Sequence, residues 1–451
     1  MGEIENKEIE NKEIIDFVLN STKEEIFENV EDIHPADFLD ALESYEGDPT
    51  AIVRRLPDAY VALLVEQADD DEKYDLYSLF PEARREHILS EMSSDELVDL
   101  LGIVDDEIRE QIMQKLNKED AAEVKELLRY GEETAGGIMA TEFISIREGM
   151  TVSQTIEYLR QEAPNSETPY YIYVLDEAEK LRGVVSLRDL ITTDSGEYIK
   201  NIMNEKVLSV PVDMDQEEVG LFFEKYGYMV VPVVDAEDVM LGIITADDIV
   251  GVITEEHTQD MYRMAGLDED ESVDSSVLDS IKSRLPWLLV NMATAIIASS
   301  MVRIFEGTLA QVVALATFMP IVAGMGGNAG AQSLTLIVRS IALGELSMEN
   351  AKHVLIKELK VGFINGIVIG LLMAVLGYIF EGNFYFSLVI GLALFLNLLV
   401  ASISGYFVPV TLKKLNIDPA LASSIFVTTF TDTLGFFFFL GLATMMMAKL
   451  L

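Results

Sequence analysis

A single carboxylate, Asp432, interrupts an otherwise uncharged apolar run of 29 residues from Ala420 to Ala448. A helix of that length, rising 1.5 Å per residue, crosses a bilayer. A carboxylate at such depth costs at least ~2.5 kcal/mol on insertion scales, so it faces a polar pathway or a partner and not lipid. The chemistry this predicts is cation conduction, with Asp432 at the centre of the pathway. The alternative is an acid neutralised by a proton or by a basic side chain on a neighbouring helix. No Lys or Arg lies deep in any other apolar run, because Arg303 and Arg339 fall at helix ends from which they can snorkel. Thr428 stands one turn before Asp432, and Asp418 precedes Pro419 at the mouth of the same element, so two carboxylates can line one path. A second polar pair, Asn328 and Gln332, lies four residues apart on one helix face within GMGGNAGAQS.

Five apolar runs position these groups: Leu285 to Val302, Leu309 to Val338, Val361 to Phe380, Tyr385 to Thr411 and Ala420 to Ala448. Each is long enough to span a membrane. An odd number puts the termini on opposite sides. With the N-terminus inside, Arg284, Arg339, Lys352, Lys357, Lys360, Lys413 and Lys414 are cytoplasmic, and only Arg303 and Lys449 are outside, which satisfies the positive-inside rule. The second run would make a helix about 45 Å long against a core of about 30 Å, so it must tilt or break. Pro320 and the glycines after it mark the expected place, either as a break exposing carbonyls to a cavity or as small residues that let helices pack closely.

The soluble part is chemically unlike the rear. Residues 284–451 carry a net charge of +2 and residues 1–283 one of −47. Such an acidic module repels nucleic acid and attracts cations. Cysteine is absent, which excludes disulfides and thiolate chemistry. No Walker A loop, zinc motif or nucleophile elbow is present, so an enzyme is not expected. The first residues are acidic, with no signal peptide. After a frayed, charged start containing two IENKE copies, short amphipathic helices begin after cap-like breaks at Pro57, Pro81, Ser94 and Asn117, which predicts a small helical array.

From Ile138 the pattern becomes β-branched and occurs twice. Ile138-Met139 answers to Ile202-Met203, Gly183 to Gly242 and Asp189 to Asp248, an offset of about 60 residues. Each copy reads strand, helix, strand, strand, helix. The pair resembles tandem CBS domains, regulatory modules that often bind adenine nucleotides. The resemblance implies ATP as a regulator, with Tyr171, Ser186, Arg188 and Asp189 as contacts. Ser186 and Thr245 also stand where a helix begins and can simply cap it. The polar segment 254–284, with an acidic cluster at Asp268 to Glu271 and a turn near Gly266, reads as a transmission element.

This order of modules, with YGEETAGGIM at Tyr130 to Met139, PIVAGMGGNAGAQS at Pro320 to Ser333, and DPAL leading to TD at Asp418 to Asp432, resembles the MgtE family of magnesium channels. The resemblance implies a charged tail (1–13), an all-α acidic N domain (14–130), α/β CBS units (131–200 and 201–253), a connecting helix (254–284) and a five-helix transmembrane domain (285–451). It implies a homodimer in the cell membrane, surrounded by lipid, with cytoplasmic N-terminal domains. Mg²⁺ would be held at Asp432 with the Thr428 carbonyl and Asn328, and Asp418 would stand at the entrance. Cytosolic Mg²⁺ would close the channel through Asp95, Asp99, Asp215, Glu217, Asp248, Glu256 and Asp260. Gly227, Gly251 and Gln259 stand where the family can have acids, and Ser424 where it can have a pore Asn. A nucleotide-sensing membrane protein without transport, or a transporter of another divalent cation, is the alternative. The lack of Cys and of His in the membrane runs argues against a dehydrated soft-metal site.

Overall fold

The computed structural model describes residues 2–68, 70–162, 168, 170–268, 271, 273, 275–347, 350–421 and 424–451. Glu269 and Asp270 of the acidic cluster lie outside them. The chain divides into two compact units, Met1–Val252 and Ile253–Leu451.

Short capped helices open the first unit. Thr22 and Glu25 form a capping box ahead of Lys23–Asn29. Asp58–Gln67 and Glu82–Leu89 follow Pro57 and Pro81, and the Asn117 Oδ1 accepts from the Asp120 amide at 3.0 Å at the start of Lys118–Leu127. Their apolar faces bury Ile26, Phe38, Tyr60, Leu64, Ile88 and Leu100, which ties helices too short to persist alone. Two expectations are corrected here. The charged start is not frayed: Gly2–Asn20 is one helix with no break at residue 13, because Ile15 and Val18 are buried and the Asn11 amide donates to the Asp40 carbonyl at 3.2 Å. The cap of Ser94–Gly102 is Ser93, and Ser94 is the first helical residue.

The tandem repeat forms two three-stranded sheets. The first is built from β1 (Ser145–Arg147), β2 (Tyr171–Leu175) and β3 (Leu181–Ser186), the second from β4 (Val210–Pro211), β5 (Val230–Val234) and β6 (Met240–Thr245). In each the first pair is parallel and the second antiparallel. The segments that open the repeats are exchanged. Ala140 bridges to Ile243 in the second sheet, and Asn204 bridges to Val184 in the first. A Cβ at Gly242 would lie 2.9 Å from Met139 Sδ, and one at Gly183 the same distance from Met203 Sδ. The recurring Ile-Met and Gly are therefore two halves of one contact, made crosswise.

The second unit holds five helices long and apolar enough to cross a membrane: Val277–Ile304, Ala314–Ala342, Ala351–Glu381, Phe384–Lys414 and Ser424–Met445, called here the first to fifth. Their core joins Leu315, Phe318 and Val322 to Ile390, Leu394 and Phe439. The connecting segment 254–284 holds the end of Ala246–Ala265, the expected turn at Gly266 (φ +74°) and the first turns of the first membrane helix, which starts at Val277 and not at Leu285. The second membrane helix does not break at Pro320 or the glycines. It runs unbroken from Ala314, and the interruption falls earlier, at Val312, which closes the short helix Glu306–Gln311 with φ −126° and ψ 77°. The glycines serve packing: a Cβ would meet Asn397 Nδ2 at 2.2 Å from Gly326 and Val427 Cγ1 at 2.4 Å from Gly330.

Candidate functional site

On the fifth membrane helix Val427, Thr431 and Gly435 recur every four residues and are buried, which turns the neighbouring stripe, Thr428 and Asp432, toward the edge of the unit, where both are half-buried. The Thr428 carbonyl accepts from Thr431 Oγ1 at 3.1 Å. Among the described residues none donates a hydrogen bond or an ion pair to Asp432, and no basic side chain among them neutralises it. Gly327 lets the second membrane helix approach the fifth, its Cβ position lying 3.2 Å from Thr428 Cγ2. Asn328 and Gln332, beside this contact, are exposed. Thr428 and Asp432 thus share one face of the fifth membrane helix, and Asn328 and Gln332 one face of the second, beside the place where Gly327 meets Thr428.

Asp418 is engaged differently. Its Oδ2 lies 2.5 Å from Arg263 Nη1 and its Oδ1 accepts from the Ala420 amide at 2.8 Å. Burial, and then the charge of Asp418, push the nearby Asp260 carboxyl above the usual range, while Arg263 and Arg339 pull it down. Glu256, on the same helix, is half-buried.

In the first unit, acids gather at the start of Ser94–Gly102. Asp95 Oδ1 is buried with no hydrogen-bond partner. Glu142 accepts from the Ser94 amide (3.0 Å) and Ser94 Oγ (2.8 Å), and Glu66 accepts from the Ser93 amide (3.0 Å). Asp248 accepts from Thr245 Oγ1 at 2.5 Å. Burial raises the Asp95 and Glu66 carboxyls and pushes Asp248 up to about 6, with mutual repulsion adding to each. Asp99 is half-exposed and its Oδ2 lies 3.9 Å from the buried Lys73 Nζ, which also holds Glu96 at 2.9 Å. Asp215 and Glu217 are exposed, and Asp215 caps Gln216–Tyr226. Of the five acids in the first unit, Asp95 and Asp248 feel each other's charge, whereas Asp215 and Glu217 stand exposed. Among the described residues no three acids or histidines converge as a ready metal site.

Tyr171 and Ser186 are cross-strand partners, and Ser186 forms a capping box with Asp189. Arg188 and Asp189 are exposed on the next turn. These four residues share one end of the first sheet.

A family profile described as MgtE intracellular N domain matches residues 33–133, CBS domain profiles match 135–196 and 199–255, and a profile named MgtE, described as divalent cation transporter, matches 319–442. The magnesium transporter MgtE of Thermus thermophilus is 39% identical over 72% of this chain and 73% of its own length. The chain belongs to the MgtE family. The magnesium transporter MgtE of Enterococcus faecalis is 38% identical over 73% of this chain and 72% of its own. The solved soluble part of a magnesium transporter overlays with a TM-score of 0.52 at 35% identity, covering 55% of this chain and 99% of that one.

In this MgtE chain the structure adds residues that the sequence does not single out. Arg263 is the one Lys or Arg of the helix Ala246–Ala265 and pairs with Asp418. Glu66 and Glu142 carry no local signal. Glu358 lies just outside an apolar run, yet is buried and accepts from Ser333 Oγ at 2.7 Å. Asn397, the one amide in the fourth run, is detectable by rarity alone. It is fully buried, donates to the Val322 carbonyl at 2.8 Å and sits between Gly326 and Gly435. Gly330→Ala should destabilise the folded unit by about 1–2 kcal/mol, since overlap with the buried, β-branched Val427 outweighs the gain in helix propensity. Thermal unfolding in detergent would show it as a lower midpoint, and an unchanged midpoint would contradict the packing role.

Proposed function

We propose that this chain transports Mg²⁺ across the cytoplasmic membrane as a homodimer, past Asp432, and is closed by Mg²⁺ collecting on its acidic cytoplasmic part. The observation that carries the reading is the carboxylate of Asp432, half-buried and without a partner among the described residues on a membrane helix, with Thr428 on the same face and Asn328 and Gln332 exposed on the neighbouring helix. Left in lipid, that carboxylate is costly. A two-fold partner presenting the same face converts it into a lined path. Mg²⁺ prefers oxygen ligands and sheds water reluctantly, so carboxylates, carbonyls and amides acting on its hydration shell suit it. Asp418, tied to Arg263, stands at the cytoplasmic mouth, where an arriving cation competes with the guanidinium.

The sensor reading rests on Asp95 Oδ1, a buried acceptor without a donor, and on like charges at Glu66, Glu142 and Asp248 that a cation would relieve. Asp95, Asp99 and Asp248 would hold the regulatory ion in the first unit. Asp215, Glu217, Glu256 and Asp260 would contribute further sites. Moving the gate from mostly open to mostly closed takes about 5.5 kcal/mol of differential binding, within reach of several ions. The test is Mg²⁺ influx into proteoliposomes at low and high Mg²⁺ on the face bearing the soluble unit. Influx that falls at high Mg²⁺ is expected, and no influx from folded protein would leave a sensor without transport.

ATP is a second regulator in this reading, held at Tyr171, Ser186, Arg188 and Asp189. Asp189→Ala should weaken ATP binding about tenfold in calorimetry. Equal affinity in wild type and variant would return Asp189 to a capping role.

A further inference from the structure

The third membrane helix presents two adjoining grooves on its outer face. One, of about 360 Å³, is lined by Ile356, Leu359, Lys360, Phe363 and Ile364. The other, of about 330 Å³, lies between the third and fourth helices, where Ile367, Leu371, Leu388, Leu392 and Phe395 surround a floor at Gly370. Gly370 and Gly391 bring the two backbones together, a Cβ at Gly370 falling 2.6 Å from the Gly391 carbonyl oxygen. The lining positions recur every three to four residues, so the grooves form one track along one helix face.

The two ends of this track differ chemically. The upper groove, the one floored by Gly370, is apolar, with Ile367 and Leu371 47% and 66% exposed, and Ile364 of the lower groove, 59% exposed, lies between it and Lys360. The lower groove contains Lys360, with Lys357 one turn away and Lys413 and Lys414 at the end of the antiparallel fourth helix. All four lysines are exposed, and among the described residues none is in an ion pair. From Lys360 to Gly370 the helix rises about 15 Å, half the thickness of a hydrocarbon core. The charge therefore stands at headgroup depth when the apolar groove reaches the middle of the bilayer. Topology alone would put lysines on the cytoplasmic side, but it does not require one to line a groove that continues into an apolar track.

We infer that this track is a binding site for an anionic phospholipid of the cytoplasmic leaflet, its phosphate at Lys360 and Lys357 and an acyl chain along Ile364, Ile367 and Leu371. The inference rests on the membrane orientation proposed above, but not on transport. Lysines near the surface of a leaflet gain from anionic lipid, and the groove gives that gain a fixed address.

The test uses the full chain, purified in detergent and titrated with phosphatidylglycerol or phosphatidylcholine, with retained lipid counted by native mass spectrometry. Wild type is expected to retain phosphatidylglycerol preferentially, and a double variant, Lys357→Gln with Lys360→Gln, to lose that preference about tenfold. Arg303→Gln, at the other end of the membrane unit, should keep it. Equal retention of both lipids by wild type, or undiminished preference in the double variant, would overturn the site. Loss of the dimer by the double variant with lipid retention unchanged would give this face to a second copy of the chain and would likewise overturn it. None of these readouts depends on Mg²⁺ flux.

Discussion

Replacing Asp432 by alanine is expected to reduce Mg²⁺ influx by about a hundredfold, to the level of liposomes without protein. In the dimer proposed above, removing a carboxylate from each chain forfeits an attraction of at least ~1.4 kcal/mol per chain, and each such step is tenfold. Folding should survive, because Asp432 holds no partner among the described residues and is only half-buried; the buried neighbours Val427, Thr431 and Gly435 carry the packing. Elution as a dimer and an unchanged melting temperature would confirm that the loss is one of conduction. Influx equal to wild type would move the ion path away from the fifth membrane helix.

Joint replacement of Asp95 and Asp99 by asparagine is expected to leave the transporter open at Mg²⁺ concentrations that close the wild type, raising the half-inhibitory concentration about tenfold, or ~1.4 kcal/mol of coupling. The two acids should not contribute equally. Asp95 Oδ1 is buried without a donor, whereas Asp99 is half-exposed with Lys73 Nζ 3.9 Å away, so an ion at Asp99 must compete with an internal cation. Asp95→Asn alone should therefore produce most of the shift. Inhibition that stays at the wild-type concentration in the double variant would remove this end of the Ser94–Gly102 helix from the sensor.

Much of this architecture is legible in the sequence. Hydropathy marks five membrane helices, the repeat offset pairs Gly183 with Gly242, and caps at Pro57, Pro81 and Asn117 fall where helices start. These signals are local, and local physics settles them. What is not legible depends on which way a side chain faces. The glycines after Pro320 satisfy both a broken helix and close packing, and only the positions of Asn397 and Val427 decide for packing. Asp418 and Asp432 look alike from the sequence as acids on one element. In space one is paired with Arg263, 155 residues away, and the other has no partner among the described residues. The acids read as one sensor set divide in the same way. Asp95 has a buried Oδ1 and feels the charges of Glu66 and Glu142, which nothing local marks, whereas Asp215 is exposed as a helix cap.

The crosswise contact of Met139 with Gly242 and Met203 with Gly183 constrains how such a chain can change. Neither repeat contains all of its own sheet edge, since each obtains it from the opening segment of the other. Cut out alone, a repeat would expose an unmet edge and a slot above its glycine, and it would fill them from another molecule, as exchanged elements do. The smallest inheritable piece is therefore the pair together with Ile138 to Ala140, and a recombination point between the copies would yield aggregates in place of a shorter regulator.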